Sequence, residues 1–389
     1  MKVSIINKKH RKLQGNFRWF VVLFVVSLFT AFVAFCGFTT KKRITASHKA
    51  YHSLVSRIDS FFIPVKIGKD NTFIFSRDSN AYYVYSEETD SIYAYDLSER
   101  KIIDAIGIKN SKLGSKFNYF FHGNKFYVLK KYARAINEYL SQSLMHERDF
   151  HFNDSSSPQV SYLPIDLSFQ ISTDSSIILY RVPKYNITNK EERIKYFSSK
   201  MLVKVQLEGQ NANVVAEFGT FPDAYRSALY NEYYPKAVLM GGKSVGYMFS
   251  DSPYLYIFDK NICKKTFLNG LDANTFIPVN SDSSALRSYI TNYSLMSERY
   301  VSALYDKQKK YLYVFQTRQA HKVNDKYLTL WEDKPLSLYV VDSTYNVIAK
   351  KDFEHIGNYF FSSFFCYNGK LYMGKYQNGK LLLEVYETK

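Results

Sequence analysis

The sequence predicts an all-β protein, a β-propeller of about six four-stranded blades preceded by one N-terminal hydrophobic helix. Tyr 35 and Phe 31 supply nearly all of a 17% aromatic fraction, and these residues favour strands. From residue 61 to the C-terminus, short segments rich in Tyr, Phe, Val and Ile alternate with Asn, Asp, Gly and Ser turns. A hairpin built from a strand, an Asp turn and a second strand recurs along the chain, which is typical of repeated all-β architectures.

The hydrophobic helix is predicted from an uncharged run, Trp19 to Phe38. About twenty residues at ~1.5 Å each are enough to cross a hydrocarbon core of ~30 Å. We therefore divide the chain into a basic N-terminal region (1–18), a transmembrane or signal-anchor segment (19–38), a stalk (39–60) and the propeller domain (61–389). The basic residues around the run favour a cytoplasmic N-terminus, with the bulk of the chain periplasmic or extracellular.

Most of the net charge of +17 belongs to the N-terminal region. Residues 1–50 contain ten Lys and Arg and no acidic residue, which leaves 42 basic and 35 acidic residues in the remaining 339. This small excess is spread along the chain without a cluster. The sequence therefore predicts no nucleic-acid partner.

Three cysteines are too few to predict a disulfide framework. One of them, Cys36, lies in a partial match to a lipidation motif. Val33 to Cys36 is similar to the lipobox of bacterial lipoproteins, but Phe35 replaces the small residue before Cys36. Acylation of Cys36, cleavage of a signal peptide and an uncleaved anchor stay open. Cys263 and Cys366 are expected to be free buried thiols.

The propeller is predicted from hairpins whose first strand ends in Asp. Their first strands are Ser91 to Asp96, Tyr254 to Asp259 and Leu338 to Asp342, and their second strands are 101–108, 261–268 and 346–353. Weaker copies lie at 134–140, 201–218 and 380–386. Strand ends near 96 and 138 are 42 residues apart, and those near 342 and 386 are 44 apart, which matches the ~40–50 residues of a propeller blade. Polar, helix-prone insertions at 188–200 and 281–299 explain two of the longer intervals.

The last unit, Tyr359 to Tyr386, contains three strands. Phe61 to Lys69 is an apolar strand without a hairpin partner of its own. We expect this N-terminal strand to complete the final blade, because an open ring would leave an unpaired edge. Five or seven blades, or a two-sheet sandwich, are the alternatives.

With these hairpins, the signal-like N-terminus and the segment Gly219 to Arg226 (GTFPDAYR), the chain resembles the TolB-like six-bladed propeller proteins of bacterial envelopes. It resembles more closely the uncharacterised propeller lipoprotein families classed as domains of unknown function. The resemblance covers about residues 60–389. It implies binding of proteins or ligands outside the cytoplasm, without a defined reaction.

No catalytic, cofactor or metal residue is predicted. Gly242 to Gly246 matches a G-x-S-x-G elbow, but it lies between two strand-like runs and predicts a hairpin turn instead. His146 and His151 should face opposite sides of a strand, and the Asp-rich loops lack the ligand set of a known Ca²⁺ loop. The repeated Asp96, Asp259 and Asp342 are interpreted as turn caps. A pair of catalytic carboxylates for glycan cleavage stays open, since sequence does not show their separation.

The candidate binding surface is an aromatic segment between strands. It contains Tyr225, Arg226, Tyr230, Tyr233 and Tyr234, residue types that are enriched at binding hot spots. The alternative is that these five residues have a structural role and fill the space between blades. The sequence thus predicts a membrane-tethered binding module for an envelope protein, glycan or peptide, with a glycan-acting propeller enzyme (hydrolase or lyase) as the alternative.

Overall fold

The computed structural model describes residues 51–389 apart from 52, 69–72, 77–80, 87, 108–116, 123–124, 131–134, 141–145, 153–159, 165–175, 229–234, 242–243, 251, 260–261, 272–296, 321, 324–325 and 328–330. Contacts divide the chain into Met1–Ala50 and Tyr51–Lys389. The predicted hydrophobic helix and Cys36 lie outside the described residues. Among the described helices, none has the length and apolar character needed to span a membrane.

The described part is an all-β, propeller-like fold. Its strands are β1 (Val55–Lys66), β2 (Phe73–Ser76), β3 (Ala81–Ser86), β4 (Ser91–Asp96), β5 (Lys101–Gly107), β6 (Phe117–His122), β7 (Lys125–Lys130), β8 (Ala135–Leu140), β9 (His146–Phe152), β10 (Val160–Pro164), β11 (Ser176–Pro183), β12 (Leu202–Glu208), β13 (Asn211–Phe218), β14 (Lys236–Gly241), β15 (Ser244–Met248), β16 (Tyr254–Asp259), β17 (Ile262–Phe267), β18 (Arg299–Asp306), β19 (Tyr311–Thr317), β20 (Lys322–Val323), β21 (Lys326–Tyr327), β22 (Leu336–Val341), β23 (Val347–Phe353), β24 (Phe365–Tyr367), β25 (Lys370–Gln377) and β26 (Lys380–Thr388). Two short α-helices are α1 (Lys190–Ser198) and α2 (Ala224–Ser227).

Apart from the short β20–β21 ribbon, the described strands form five sheets. Four are four-stranded: β2 to β5, β14 to β17, β18-β19-β22-β23, and β24-β25-β26 with β1. The fifth is eight-stranded, because a short parallel pairing of Asn211 with His151 and of Ala212 with Phe152 joins the antiparallel sections β6–β9 and β10–β13. The structure therefore has five sheets where the sequence predicts six blades.

The predicted closure by an N-terminal strand is confirmed. β1 pairs antiparallel with β26, with Phe61 opposite Leu383 and Ile63 opposite Leu381. The strand begins at Val55, within the stretch that the sequence assigns to the stalk. The last sheet is thus completed by the start of the domain, and the backbone groups of β26 are paired on both sides.

The core lies between the faces of neighbouring sheets. Strands rich in Tyr, Val, Leu and Phe carry apolar side chains on both faces. One cluster packs Ile92 of the first sheet against Phe126, and another packs Val84 of the first sheet against Leu383 of the last. Three further clusters join the intervening sheets. Because the last sheet packs on the first, the sheets close into a ring.

The predicted hairpins are confirmed at β4–β5, β16–β17 and β22–β23. The insertion predicted at 188–200 contains α1. Its N-cap is Asn189, whose Oδ1 accepts from the backbone N–H groups of Glu191 and Glu192 at 2.9 and 3.1 Å. The insertion predicted at 281–299 lies outside the described residues up to position 296.

Candidate functional site

The connections between strands lie at two ends of the sheets, and several of the longest lie at one of these ends. Because neighbouring strands run in opposite directions, connections from first to second and from third to fourth strand share one end. Here these connections include the short turns 97–100, 209–210, 307–310, 342–346 and 368–369. We name this the turn end.

The opposite end of each sheet, named the loop end, carries the other connections. It contains 184–201 and 318–335, each between second and third strands, and 219–235 and 354–364, each leading to the next sheet. In repeat folds, insertions map to one face, which is often the binding face. The loop end is therefore the candidate functional face.

The turn end is built by aspartates that cap turns. Asp96 Oδ1 accepts from the backbone N–H groups of Ser98 and Glu99 at 2.7 and 2.8 Å. Asp342 Oδ1 accepts from those of Thr344 and Asn346 at 2.9 and 3.0 Å. The prediction of turn capping is confirmed at these two positions, and both carboxylates serve backbone geometry.

Asp306 repeats this arrangement at the β18–β19 turn, where the sequence interpretation missed it. Its Oδ1 accepts from the backbone N–H groups of Gln308 and Lys309 at 2.8 and 3.2 Å. The sequence does contain the same pattern here, a strand that ends in Tyr305-Asp306 before a turn that starts at Lys307. For Asp259 the turn that follows lies outside the described residues.

The predicted aromatic binding surface is only partly described. Tyr225 lies on α2 and is fully buried. Its ring centroid is 5.5 Å from that of Phe197 on α1 and 5.6 Å from that of Phe249 after β15. Tyr225 therefore belongs to the core, which agrees with the alternative that these residues fill the space between blades. It is buried because α1 and α2, in two insertions at the loop end, pack on each other through aromatic rings.

Arg226, next to Tyr225, lies at the surface and pairs with Asp223 across 3.0 Å, within the same turn. Tyr230, Tyr233 and Tyr234 lie outside the described residues. The structure thus separates Tyr225 from the predicted surface and keeps Arg226 at the loop end.

A polar network that sequence reasoning missed lies at the loop end of the sheet formed by β18, β19, β22 and β23. Arg318 follows β19 directly, and its Nε donates to Ser337 Oγ at 3.2 Å while its Nη2 donates to Tyr339 Oη at 3.2 Å. Tyr339 Oη in turn donates to Gln316 Oε1 at 2.8 Å. Arg318 is thereby held in a fixed orientation.

The outer part of this network is charged and reaches solvent. Arg318 Nη1 lies 3.7 Å from Glu298 Oε1, and their side chains are 24% and 21% exposed. Ser337 Oγ donates to Asp352 Oδ1 at 2.6 Å, and Asp352 is largely exposed. Buried Tyr and Gln groups thus orient a guanidinium at the rim of the loop end, where its Nη1 faces the carboxylate of Glu298.

The other candidate motifs have structural roles. Gly241 and Ser244 are partners in the antiparallel pairing of β14 with β15, which agrees with the hairpin predicted for the Gly242 to Gly246 match. Gly242 and Lys243 themselves lie outside the described residues. His146 Nε2 lies 2.6 Å from Asp149 Oδ1 at the outer strand β9. Among the described residues, no three His, Cys, Asp or Glu side chains cluster as metal ligands do. Neither Cys263 nor Cys366 forms a disulfide, and the predicted burial is wrong for both, because Cys263 is exposed and Cys366 is half-buried.

The described carboxylates whose pKa is shifted are held in the ionised form. The hydrogen bond from Arg100 lowers the pKa of Asp59. Burial alone would raise the pKa of Asp342 and Glu384, but hydrogen bonds outweigh it and both pKa values lie below the ordinary range. A general acid for glycan cleavage needs a raised pKa. These carboxylates therefore suit structural ion pairs and hydrogen bonds.

Comparisons with known proteins support the fold. No family model and no curated protein sequence matches the chain. A solved structure of a DUF4221 family member from Bacteroides vulgatus is similar, with a TM-score of 0.63 and 15% identity, covering 88% of this chain and 99% of that one. This likeness agrees with the propeller-like fold. At this identity it establishes the fold and leaves the function open.

Two more distant structures are similar over most of their length. A putative exported protein from Bacteroides fragilis aligns with a TM-score of 0.46 and 10% identity, covering 86% of this chain and 95% of that one. A streptogramin B lyase aligns with a TM-score of 0.41 and 8% identity, covering 87% and 98%. Likenesses this weak carry no argument about activity.

Proposed function

We propose that the protein is an extracytoplasmic, membrane-tethered propeller that works as a binding module, with its ligand surface at the loop end. The observation that carries this proposal is the Arg318 network, in which buried Tyr339 and Gln316 orient a guanidinium at the rim of the loop end. Four of the longer connections, 184–201, 219–235, 318–335 and 354–364, lie at the same end, and the turn end has one connection of similar length, 165–175.

We further propose six blades, with β6–β9 and β10–β13 each forming one. Each section is a complete antiparallel set of four strands. Only two residue pairs join β9 to β13, so this contact is weak support for a single blade. A six-bladed ring is also the architecture of the TolB-like proteins that the sequence resembles.

The tether follows from the hydrophobic run 19–38 and its basic flanks. β1 begins at Val55, so few residues separate the run from the closed ring. The proposed ligand is an envelope protein, a peptide or a glycan. Fractionation tests this location: we expect the full chain in the membrane fraction, and recovery in the soluble cytoplasmic fraction would overturn it.

The binding role is tested with the full chain in detergent. A thermal-shift screen uses oligosaccharides, peptidoglycan fragments and peptides, since a ligand at 100 times its Kd adds about 2.7 kcal/mol of stability. For any ligand found, we expect Arg318→Gln to weaken binding about tenfold or more. The matched control is Arg100→Gln at the turn end. Equal affinities of both variants and the unchanged protein would contradict the proposed site.

A glycan-acting enzyme is the second candidate, and the pKa directions above do not favour it. Turnover of any glycan that binds, measured by reducing-end release, would replace the binding proposal with an enzymatic one.

A further inference from the structure

A second cluster lies where the closing strand meets the preceding sheet. Glu384 on β26 is buried, with 4% exposure. Its Oε1 accepts from Arg57 Nη1 at 2.8 Å, and its Oε2 accepts from the hydroxyls of Tyr386, at 2.8 Å, and Tyr359. Three donors therefore occupy the one carboxylate in the cluster.

Three aromatic rings form the floor of this cluster. The ring of Phe353 at the end of β23 lies 5.8 Å from that of Tyr359 and 5.9 Å from that of Tyr386. The two tyrosine hydroxyls are 3.4 Å apart. The rings thus bridge the β22–β23 face and the last sheet.

Two lysines cover these rings. Lys351 Nζ is 5.7 Å from the ring centroid of Phe353 and 5.8 Å from that of Tyr386. Lys375 Nζ is 5.4 Å from the ring centroid of Tyr359 and helps to lower the pKa of Glu384. Both side chains belong to half-buried residues. Cation–π contacts hold the two ammonium groups over one aromatic floor.

The charges in this cluster do not balance. Arg57, Lys351 and Lys375 supply three positive charges, and Glu384 supplies one negative charge. On the part of the chain that the structure describes, neither lysine forms an ion pair within 4.0 Å. Lys351 Nζ makes one long contact, 3.5 Å, to the carbonyl of Val55. The nearby Asp352 lies on the other face of β23, where it contacts Lys350 and Ser337.

The cluster opens to solvent. The side chain of Arg57 is 55% exposed, and Phe62 on β1 is 46% exposed. Lys375, Leu382 and Phe62 are successive partners across β25, β26 and β1, so their side chains share one face. A ligand can therefore approach along the outer edge of the last sheet.

We propose that this seam is an oxyanion-binding site, in which Lys351 and Lys375 bind the carboxylate or phosphate group of a ligand. The ammonium groups are partly desolvated and held in place, which strengthens their attraction for an anion. The buried carboxylate accepts hydrogen bonds from its own three donors, and its single negative charge offsets only part of the three positive charges around it. An acidic saccharide and a phosphorylated ligand share the required chemistry.

The proposal is tested by calorimetry on the full chain at constant ionic strength, with inorganic phosphate, glucuronate and neutral glucose as probes. We expect phosphate or glucuronate, and not glucose, to bind. Lys351→Gln and Lys375→Gln should each weaken binding about tenfold, because each removes a charge-assisted hydrogen bond to the anion. Stronger binding of glucuronate would identify a saccharide source, and stronger binding of phosphate a phosphorylated one.

Lys264→Gln on the exposed outer strand β17 is the matched control and should leave the affinity unchanged. Thermal unfolding of each variant separates loss of the site from loss of the fold. Failure of both anions to bind a folded protein, or equal affinity for glucose, would overturn the proposal. So would anion binding that persists in a folded protein carrying both lysine substitutions. The Arg318 variants do not alter this site, so the two proposals succeed or fail separately.

Discussion

Arg57 donates to Glu384 across 2.8 Å and thereby joins the first strand of the domain to its last strand. Both residues lie on paired strands, yet they are 327 positions apart in the chain. The bond reinforces the β1–β26 ladder at the point where the ring closes.

Glu384→Ala should destabilise the protein by about 2–4 kcal/mol, because it leaves buried donors unpaired at the seam. Chemical denaturation of the full chain measures the effect. The matched control is Glu387→Ala on the same strand, whose nearest cation is Lys309 at 3.9 Å and which should cost less than about 1 kcal/mol. Similar losses from both variants would contradict a special role for Glu384.

The same carboxylate predicts a dependence of stability on pH. The folded-state pKa of Glu384 lies below its ordinary value of 4.5. A lowered pKa contributes stability above the unfolded value, and this contribution is lost as the pH falls through the folded value. We therefore expect the stability difference between the unchanged protein and Glu384→Gln to be full at pH 6 and to shrink below pH 4.5. A difference that grows on acidification would show that the sign is wrong.

The turn cap at Asp342 predicts that two substitutions of this residue lower the stability by different amounts. Asp342→Ala should cost about 1–2 kcal/mol, because it removes the acceptor for two backbone N–H groups and the hydroxyl of Thr344. Asp342→Asn keeps an acceptor oxygen and should cost less. Glu354→Ala, at a highly exposed site, is the control and should change the free energy of unfolding by less than about 0.5 kcal/mol. Equal unfolding midpoints for Asp342→Ala and Glu354→Ala would exclude a capping role.

Tyr225 and Arg226 predict opposite behaviour for neighbouring residues. Tyr225→Ala empties a buried aromatic site and should cost about 3–5 kcal/mol. Arg226→Ala removes a surface pair with Asp223 and should change stability by less than about 1 kcal/mol. Thermal unfolding of both variants distinguishes them. A small loss for Tyr225→Ala would return this ring to the predicted binding surface.

The sequence predicts the strands and the closure because their signals are local. Alternating apolar runs, Asp turns and an unpartnered strand near residue 61 are readable without tertiary information. The number of sheets was not predictable, since the parallel contact of Asn211 with His151 is set by how neighbouring sections pack. Residues such as Tyr225 were ambiguous because an aromatic loop residue suits a core and a surface equally.

The Arg318 and Glu384 networks show a second limit of sequence reasoning. Glu384 stands inside the apolar run Leu381 to Tyr386, and an acidic residue in such a run is a usable signal for a buried ion pair. Its partner Arg57 is a long-range contact that no local pattern indicates. Arg318 lacks even the first signal, since its neighbours in sequence are polar.

Site-specific photo-crosslinking in intact cells tests directly whether the loop end is the ligand-binding face. A diazirine amino acid replaces the exposed Tyr185 or Ile194 at the loop end, or Ser98 or Lys310 at the turn end. We predict specific adducts from the two loop-end positions and none from the two turn-end positions. Adducts confined to the turn end, or equal at both ends, would contradict a ligand-binding face at the loop end.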